Sequence, residues 1–433
     1  MIKFVDLFAG IGGMRKGLEL ALSKQGLKGD CVFSSEIDEK AKQTYQLNFG
    51  EEPYGDIRDA DYLPTHDVLL AGFPCQSFSY AGKQKGFADT RGTLFFEIER
   101  LLSNLETKPR ILLLENVRGF TTHDSGRTHK TVIERLRSLG YRTRTLLLNS
   151  SNFGVPQNRV RVYIVGILDH EPELTLQSNV GTPDSHQFKK TFSQIDLFIN
   201  QSQYCCVRDI LERNPDPRYQ CSETFTEQLR LALNGKPLET LHGFRLIDYR
   251  GGNSIHSWDL GLKGNCSLEE RDLMNAIIEN RRKKHFGTHQ DGKALTLEQI
   301  KTFWNQPNLE KLLQDLVSKG YLRFIDDKYN PKCGNMSFEV FKFLDPDSIS
   351  ITLTASDSHR LGVVQNGIPR RITPRECARL QGFPDDFQLH TDDIATYHQL
   401  GNSVSVPVIQ AIFEDLFRSS TALHHSELLL ISR

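Results

Sequence analysis

Three groups of side chains in this sequence could together carry out covalent chemistry on a base. Cys75 follows Pro74, Glu115 ends an apolar run, and Arg159 and Arg161 lie just before another. A thiol nucleophile, a carboxylate and an arginine pair suit covalent attack on a pyrimidine ring. A lone cysteine after an apolar strand is, however, more often a small buried hydrophobe. Cys75 taken by itself therefore fits either role.

The elements that must position these groups alternate between strands and helices over residues 1–170. This pattern predicts a doubly wound α/β sheet, with a helix at Met14–Ser23. Ligands bind beyond the carboxyl ends of such strands, where the reactive side chains fall. The predicted strands are Lys3–Phe8, Cys31–Glu36, His66–Ala71, Arg110–Glu115, Arg142–Asn149 and Arg161–Leu168.

A glycine-rich turn, Gly10-Ile11-Gly12-Gly13, follows the first strand, and Glu36 ends the second. Glycine lets a ligand approach the backbone, and a carboxylate at the second strand commonly holds ribose hydroxyls. The turn lacks the GxGxxG spacing of dinucleotide sites, and nothing calls for a pyrophosphate. A nucleoside cofactor such as S-adenosylmethionine fits better. Taken by themselves, the glycines also fit an ordinary turn between a strand and a helix.

The composition of the 433-residue chain is that of an ordinary soluble protein of two domains, with 38% hydrophobic and 25% charged residues. Eight cysteines form no CxxC pair or Cys/His cluster, so neither a disulfide scaffold nor a metal site is indicated. We expect no signal peptide, no membrane span and a cytoplasmic location. Because the net charge is −1, any nucleic-acid contact requires basic residues gathered on one face.

Taken together, the motifs resemble those of the DNA cytosine-5 methyltransferases, in particular the bacterial restriction–modification type. The resemblance covers residues 1–170 and 366–420. The matching segments are Asp6–Gly13, Glu36–Asp38, Gly55–Ile57, Gly72–Gln76, Asp89–Leu94, Leu114–Val117, Phe153–Arg161, Arg370–Pro384 and Gln399–Val404.

The resemblance implies a catalytic role for four side chains. Cys75 would add to C6 of cytosine, and Glu115 would hydrogen-bond N3 and the exocyclic amine. Arg161 would hold O2, with Arg159 supporting the same pocket. The group that takes the C5 proton is not identified, and water is a candidate. The target base must leave the duplex, and residues 77–93 are expected to close over it.

The resemblance also implies a Rossmann-like domain that binds S-adenosylmethionine. Phe8 would pack on the adenine, Glu36 would bind the ribose, and Ile37 stands where the family often has a larger side chain. The predicted cofactor-binding residues are Phe8, Gly10, Ile11, Gly12, Glu36, Ile37, Asp56, Ile57, Pro74, Asn402 and Ser403.

The middle of the chain is expected to recognise the DNA target. We predict a catalytic domain of residues 1–175 and 366–433, to which the C-terminal helix returns, and a smaller mixed α/β target-recognition domain of residues 176–365. Residues 294–325 fit either a winged-helix-like insert or plain helical packing. The whole region resembles methyltransferases of degenerate GC-rich hexamers (GGYRCC type).

Arginine and asparagine suit base edges in the major groove, and a basic run suits phosphates. Candidate base-reading side chains occur in two segments, His242–Leu262 (with His256 and Trp258) and Asp357–Arg360. The basic run is Arg281–His285. Each also fits an ordinary solvated surface. The predicted DNA-binding residues are Ser79, Arg91, Arg245, Arg250, Arg281, Arg282, Thr352 and Arg360.

The resulting hypothesis is an S-adenosylmethionine-dependent enzyme that methylates cytosine in a short specific site of double-stranded DNA. It would be a monomer, paired with a restriction endonuclease. The alternatives are a transfer-RNA cytosine-5 methyltransferase and a catalytically idle DNA-binding protein on the same fold. A dinucleotide-dependent oxidoreductase is the weakest option.

Overall fold

The computed structural model describes residues 1–73, 94–182, 206–248, 254–286, 294–332 and 338–421. Within these ranges, no helix is long and apolar enough to cross a membrane. The helices are α1 (Gly13–Lys24), α2 (Glu39–Phe49), α3 (Leu94–Ser103), α4 (Arg127–Ser138), α5 (Val207–Ile210), α6 (Glu223–Leu233), α7 (Leu268–Asn280), α8 (Leu297–Lys301), α9 (Leu309–Ser318), α10 (Pro374–Leu380), α11 (Asp393–Asn402) and α12 (Val406–Thr421).

The chain divides into two compact units. The first unit comprises residues 1–212, 347–358 and 374–433, and the second comprises residues 213–346 and 359–373. These boundaries differ from the expected ones at 175/176 and 365/366. The first unit extends further along the chain and regains a short segment at 347–358. The roles expected of the two domains stay predictions.

A six-stranded sheet forms the centre of the first unit, with strand order β2-β1-β3-β4-β6-β5. The first four strands in that order are parallel, and β6 runs antiparallel to both β4 and β5. The order reverses direction between β1 and β3, which is where doubly wound sheets bind ligands. The strands are β1 (Ile2–Leu7), β2 (Gly29–Ser35), β3 (Val68–Gly72), β4 (Ile111–Val117), β5 (Tyr141–Asn149) and β6 (Val160–Leu168).

Helices cover both faces of this sheet because its strands carry apolar side chains in both directions. On β4, Leu113 belongs to a core shared with α1 and α12. Its neighbours Leu112 and Leu114 belong to the opposite core, shared with α3 and α4. Alternate residues of a strand point to opposite faces, so one continuous apolar run supplies both layers. The predicted fold class is confirmed.

The second unit contains a mixed five-stranded sheet of order β14-β13-β12-β7-β8. Phe225 and Leu229 of α6 pack with Leu246 and Phe343 of the sheet in one apolar core. The strands are β7 (Arg245–Leu246), β8 (Ser254–Ile255), β12 (Lys342–Phe343), β13 (Leu361–Gln365) and β14 (Ile368–Arg371).

A separate core in the second unit joins α7, α8 and α9 to a three-stranded antiparallel sheet of order β10-β11-β9. Ser267 and Thr296 begin α7 and α8 with capping boxes. Two helices, α8 and α9, are followed here by strand β10, and the winged-helix assignment stays a prediction. The strands are β9 (Leu295–Thr296), β10 (Leu322–Ile325) and β11 (Lys328–Pro331).

Candidate active site

A cavity of about 860 Å³ opens at the carboxyl ends of β1 to β4 in the first unit. Its size suits a small-molecule ligand. The predicted residues that line it are Phe8, Gly10, Ile11, Glu36, Ile37, Asp56, Ile57, Glu115, Arg159, Arg161, Asn402 and Ser403. The structure therefore brings together, in one cavity, nine of the eleven residues expected at the cofactor and three of the four expected at the base.

The turn after β1 forms the floor of the cavity. Phe8 and Gly10 both have φ of 56°, a left-handed conformation that is uncommon for a side chain such as that of Phe8. A Cβ added at Gly10 would have no atom within 4 Å, so the backbone there faces open space. The structure corrects the prediction that Gly12 binds the cofactor, because this residue does not line the cavity. A Cβ on Gly12 would lie 2.2 Å from the ring of Phe49, so this glycine permits close packing on α2.

Glu36 holds the glycine turn and the start of α2 in place. Its Oε2 accepts a hydrogen bond of 2.7 Å from the backbone N–H of Gly10. Its Oε1 accepts from the N–H groups of Ile37 and Asp38 at 2.8 and 2.9 Å. Three backbone donors fix the carboxylate at the cavity wall and leave acceptor capacity for a hydroxyl.

Asp56 caps a short 3₁₀ helix that begins at Ile57, and Arg58 hydrogen-bonds the carboxylate of Asp56 at the cavity. The Nε of Arg58 lies 3.0 and 2.9 Å from the two carboxylate oxygens, and this hydrogen bonding lowers the pKa of Asp56. Arg58 and His398 also line the cavity, and we did not predict either residue. Their position beside the predicted motifs was the only signal available.

Glu115 and Arg161 form a pair inside the cavity, with Nε of Arg161 3.3 Å from Oε1 of Glu115. Burial raises the pKa of Glu115 above its ordinary value, while Arg161 and Arg159 oppose that shift. A desolvated carboxyl of this kind favours its protonated form. The site therefore places a carboxyl of raised pKa beside a cation.

Arg159 is buried, with 2% of its surface exposed. Its Nη1 donates to the carbonyl oxygen of Leu353 at 2.8 Å, and its Nη2 donates to that of Ser403 at 2.6 Å. Longer bonds of 3.4 Å reach the carbonyl of Gly401. The guanidinium donates to backbone carbonyls, and the expected supporting role of Arg159 at the base stays a prediction. Arg159 ties β6 to the segments that close the cavity.

Gln157 extends the same buried network. Its Nε2 donates to the carbonyl of Leu380 at 2.8 Å, and its Oε1 accepts from the N–H of Leu353 at 2.9 Å. Gln381 in turn donates to the carbonyl of Leu400 at 2.6 Å. The hydrogen bonds of Gln157 and Gln381 help to fix the geometry of the segments that they join. The network joins segments that are distant in sequence to the cavity wall at Asn402 and Ser403.

The strand that leads to Cys75 is anchored beside Glu115. Gly72 of β3 is in register with Glu115 of β4, and Nδ2 of Asn116 donates to the carbonyl of Phe73 at 2.9 Å. Phe73 is buried between Phe95 and Phe120. Pro74, Cys75, Ser79 and Arg91 lie outside the described residues, as does the expected closing segment 77–93. The last described residue before them is thus held at the cavity.

Comparison with known proteins identifies the family. The family model of the C-5 cytosine-specific DNA methylases matches residues 2–418. The chain belongs to this family. It is 63% identical over 419 residues to the Type II methyltransferase M.BanI of Aneurinibacillus aneurinilyticus, covering 97% of this chain and 96% of that protein. It is 59% identical to the Type II methyltransferase M.HgiCI of Herpetosiphon aurantiacus, covering 97% and 99%.

The fold of the methylase is also found among solved structures. The crystal structure of the S. pombe Dnmt2 methyltransferase matches with a TM-score of 0.51 at 19% identity, covering 97% of this chain and 99% of that one. At this level of identity the likeness concerns the fold alone.

Three predicted DNA-binding positions of the methylase remain accessible. Thr352 is half-buried, and its hydroxyl donates to the carbonyl of Asn158 at 2.5 Å. Arg245 is half-buried on β7, and Arg282 is exposed after α7. Arg250 lies outside the described residues. The DNA contacts of these side chains stay predictions.

Several other predicted DNA contacts are corrected by burial. Arg281 is 2% exposed at the end of α7, so the exposed basic run begins only at Arg282. Arg360 is 8% exposed, with its guanidinium 5.7 Å from the ring centre of Phe341. His256 and Trp258 stack on each other inside the second unit. The spacing of residues in the sequence did not reveal which basic and aromatic side chains are buried.

Proposed function

We propose that this methylase transfers a methyl group from S-adenosylmethionine to C5 of a cytosine flipped out of a short, specific site in double-stranded DNA. The observation that carries the proposal is the pairing of Glu115 with Arg161 in the cavity that Glu36 and Gly10 also line. In this cavity, Glu115 and Arg161 would bind the base. Glu36 and the accessible backbone at Gly10 would bind a nucleoside.

The base chemistry follows from the residue types. The thiolate of Cys75 adds to C6 and forms a C–S bond, while Glu115 gives its proton to N3, so that C5 becomes nucleophilic. Arg161 donates to O2 of the ring. After C5 has taken the methyl group, a base removes the C5 proton. The electron pair of that C–H bond then expels the Cys75 thiolate, N3 returns its proton, and the ring is restored.

The groups that line the cavity suit S-adenosylmethionine. Glu36 keeps acceptor capacity for ribose hydroxyls, and the open space at Gly10 admits a ligand against the backbone. When bound, the cofactor supplies an electrophilic methyl group. Phe8, Ile37 and Ile57 would give apolar contacts, and Asp56 would accept from the adenine amine after sharing or releasing Arg58. Asn402 and Ser403 would close the pocket.

The remaining parts of the proposal concern the partners. Residues 77–93, with Ser79 and Arg91, would cover the flipped base, and the second unit would recognise the target sequence. Both M.BanI and M.HgiCI are named Type II methyltransferases, which supports a restriction–modification role with a partner endonuclease. A monomer in a bacterial cytoplasm belongs to the same proposal.

Cytosine-conversion sequencing tests this proposal directly. DNA would be taken from a methylation-free host that expresses either the unaltered protein or Cys75→Ser. We expect protected cytosines in one short motif, lost in Cys75→Ser. Cys206→Ser is the matched control, since that thiol lies at the start of α5 and not in the cavity. Protection of transfer RNA alone, or protection that survives Cys75→Ser, would refute the proposal.

A further inference from the structure

Two cations stand directly opposite each other in the sheet of the second unit. Lys342 of β12 is in register with Arg245 of the antiparallel strand β7. Residues in register project from the same face of a sheet, with Cβ atoms about 5 Å apart. Ser254 of β8 continues the row beside Arg245. The site is thus built from three neighbouring strands.

No described carboxylate lies within ion-pair distance of either cation. In the described part of the chain, neither Arg245 nor Lys342 forms an ion pair, and the ammonium group of Lys342 donates to the neutral carbonyl of Gly243. Burial and the charge of Arg245 lower the pKa of Lys342, against the opposing effect of Asp345. Like charges directly opposite in a sheet are destabilising. An anion placed between them would remove that repulsion.

We propose that Arg245 and Lys342 form an anion site that takes a phosphate of the DNA backbone. This inference rests on the proposed function. A phosphate carries the negative charge that the pair lacks, whereas the edge of a guanine has no net charge and would leave the repulsion in place. Because the whole chain has a net charge of −1, attraction to DNA depends on such local pairs.

Salt-dependent binding to duplex DNA measures the contact. In Arg245→Gln and Lys342→Gln, we expect affinity to fall about tenfold and the slope of log K against log salt to decrease by about 0.9. The loss should be equal on duplexes with and without the target site. Lys342→Arg should keep the slope. Lys28→Gln, an exposed lysine before β2, is the matched control.

A second measurement separates this role from a purely structural one. Without DNA, Lys342→Gln should melt at a higher temperature than the unaltered protein, because like-charge repulsion is removed. A slope and affinity equal to those of the Lys28→Gln control would overturn the phosphate site, as would a loss confined to the target duplex. If the unaltered protein neither binds nor methylates DNA, the proposed function fails as well.

Discussion

The antiparallel pairing of β6 with β4 brings Nε of Arg161 to 3.3 Å from Oε1 of Glu115. Burial raises the pKa of this carboxyl, and the neighbouring cation opposes that rise. This pair is the basis for the first two predictions.

Glu115→Gln should abolish proton donation while preserving shape. The amide can still hydrogen-bond a base but cannot give N3 a proton. We expect kcat for methyl transfer to fall about 10²–10⁴-fold, with cofactor affinity unchanged. Radiolabelled methyl transfer and calorimetric cofactor titration provide the two readouts. Glu106→Gln, an exposed carboxylate, is the control. An unchanged kcat would contradict the assigned role.

The same carboxyl predicts a pH dependence of stability. Its folded-state pKa is raised above the ordinary value of 4.5, so the folded state binds more protons than the unfolded state. The stability it contributes is present below 4.5 and is lost as pH rises through the folded-state pKa. Thermal melts across this range should show Glu115→Gln gaining stability relative to the unaltered protein as pH rises. A constant difference would disagree with this prediction.

Lysine variants of Arg159 and Arg161 should have different effects, because Arg159 positions backbone segments and Arg161 contacts the base. One ammonium in Arg159→Lys cannot reach the carbonyls of Leu353, Gly401 and Ser403 together. It should cost about 1–3 kcal/mol of unfolding free energy and weaken cofactor binding. Arg161→Lys should mainly lower kcat and leave stability near that of the unaltered protein. Denaturant unfolding and calorimetry test both variants, and equal profiles would refute the distinction.

The sequence predicted many of the residues that line the cavity, because local motifs position them. Strand β1 is followed by the Gly10 turn and strand β2 by Glu36. The apolar pattern of each strand and the residues that end it are therefore enough to place these groups. Arg159 shows the limit. Its motif indicated a base pocket, but its hydrogen-bond partners come from residues 353–403, which no local pattern connects to β6.

The second unit was harder to predict because burial there depends on tertiary packing. Arg281, Arg360 and Trp258 occupy loop-like sequence rich in polar residues, and each is nevertheless buried. The Arg245–Lys342 pairing joins strands of two residues each, too short to give a period.

Glu36→Gln should weaken cofactor binding, because the amide disturbs hydrogen bonds to the backbone and to the ribose. An amide presents only one acceptor oxygen, so one side of the group would direct N–H toward the N–H of Gly10 or of Ile37. Loss of charged hydrogen bonds to the ribose and backbone should reduce affinity about 10–100-fold. Calorimetric titration with S-adenosylmethionine measures this, with Glu106→Gln as control. Unchanged affinity would exclude a ribose contact.

Gly401→Ala tests whether the last wall of the cavity depends on backbone contact. A Cβ at this position would lie 2.3 Å from the backbone N of Ala355 and from the carbonyl carbon of Thr354. Backbone cannot yield as a flexible side chain would, so we expect a loss of about 1–3 kcal/mol together with weaker cofactor binding. Gly119→Ala, where a Cβ would meet no atom within 4 Å, should change stability by less than about 0.5 kcal/mol. Denaturant unfolding of the two variants decides the matter. If both behave alike, the contact between residues 354–355 and 401 does not hold Asn402 and Ser403 at the cavity.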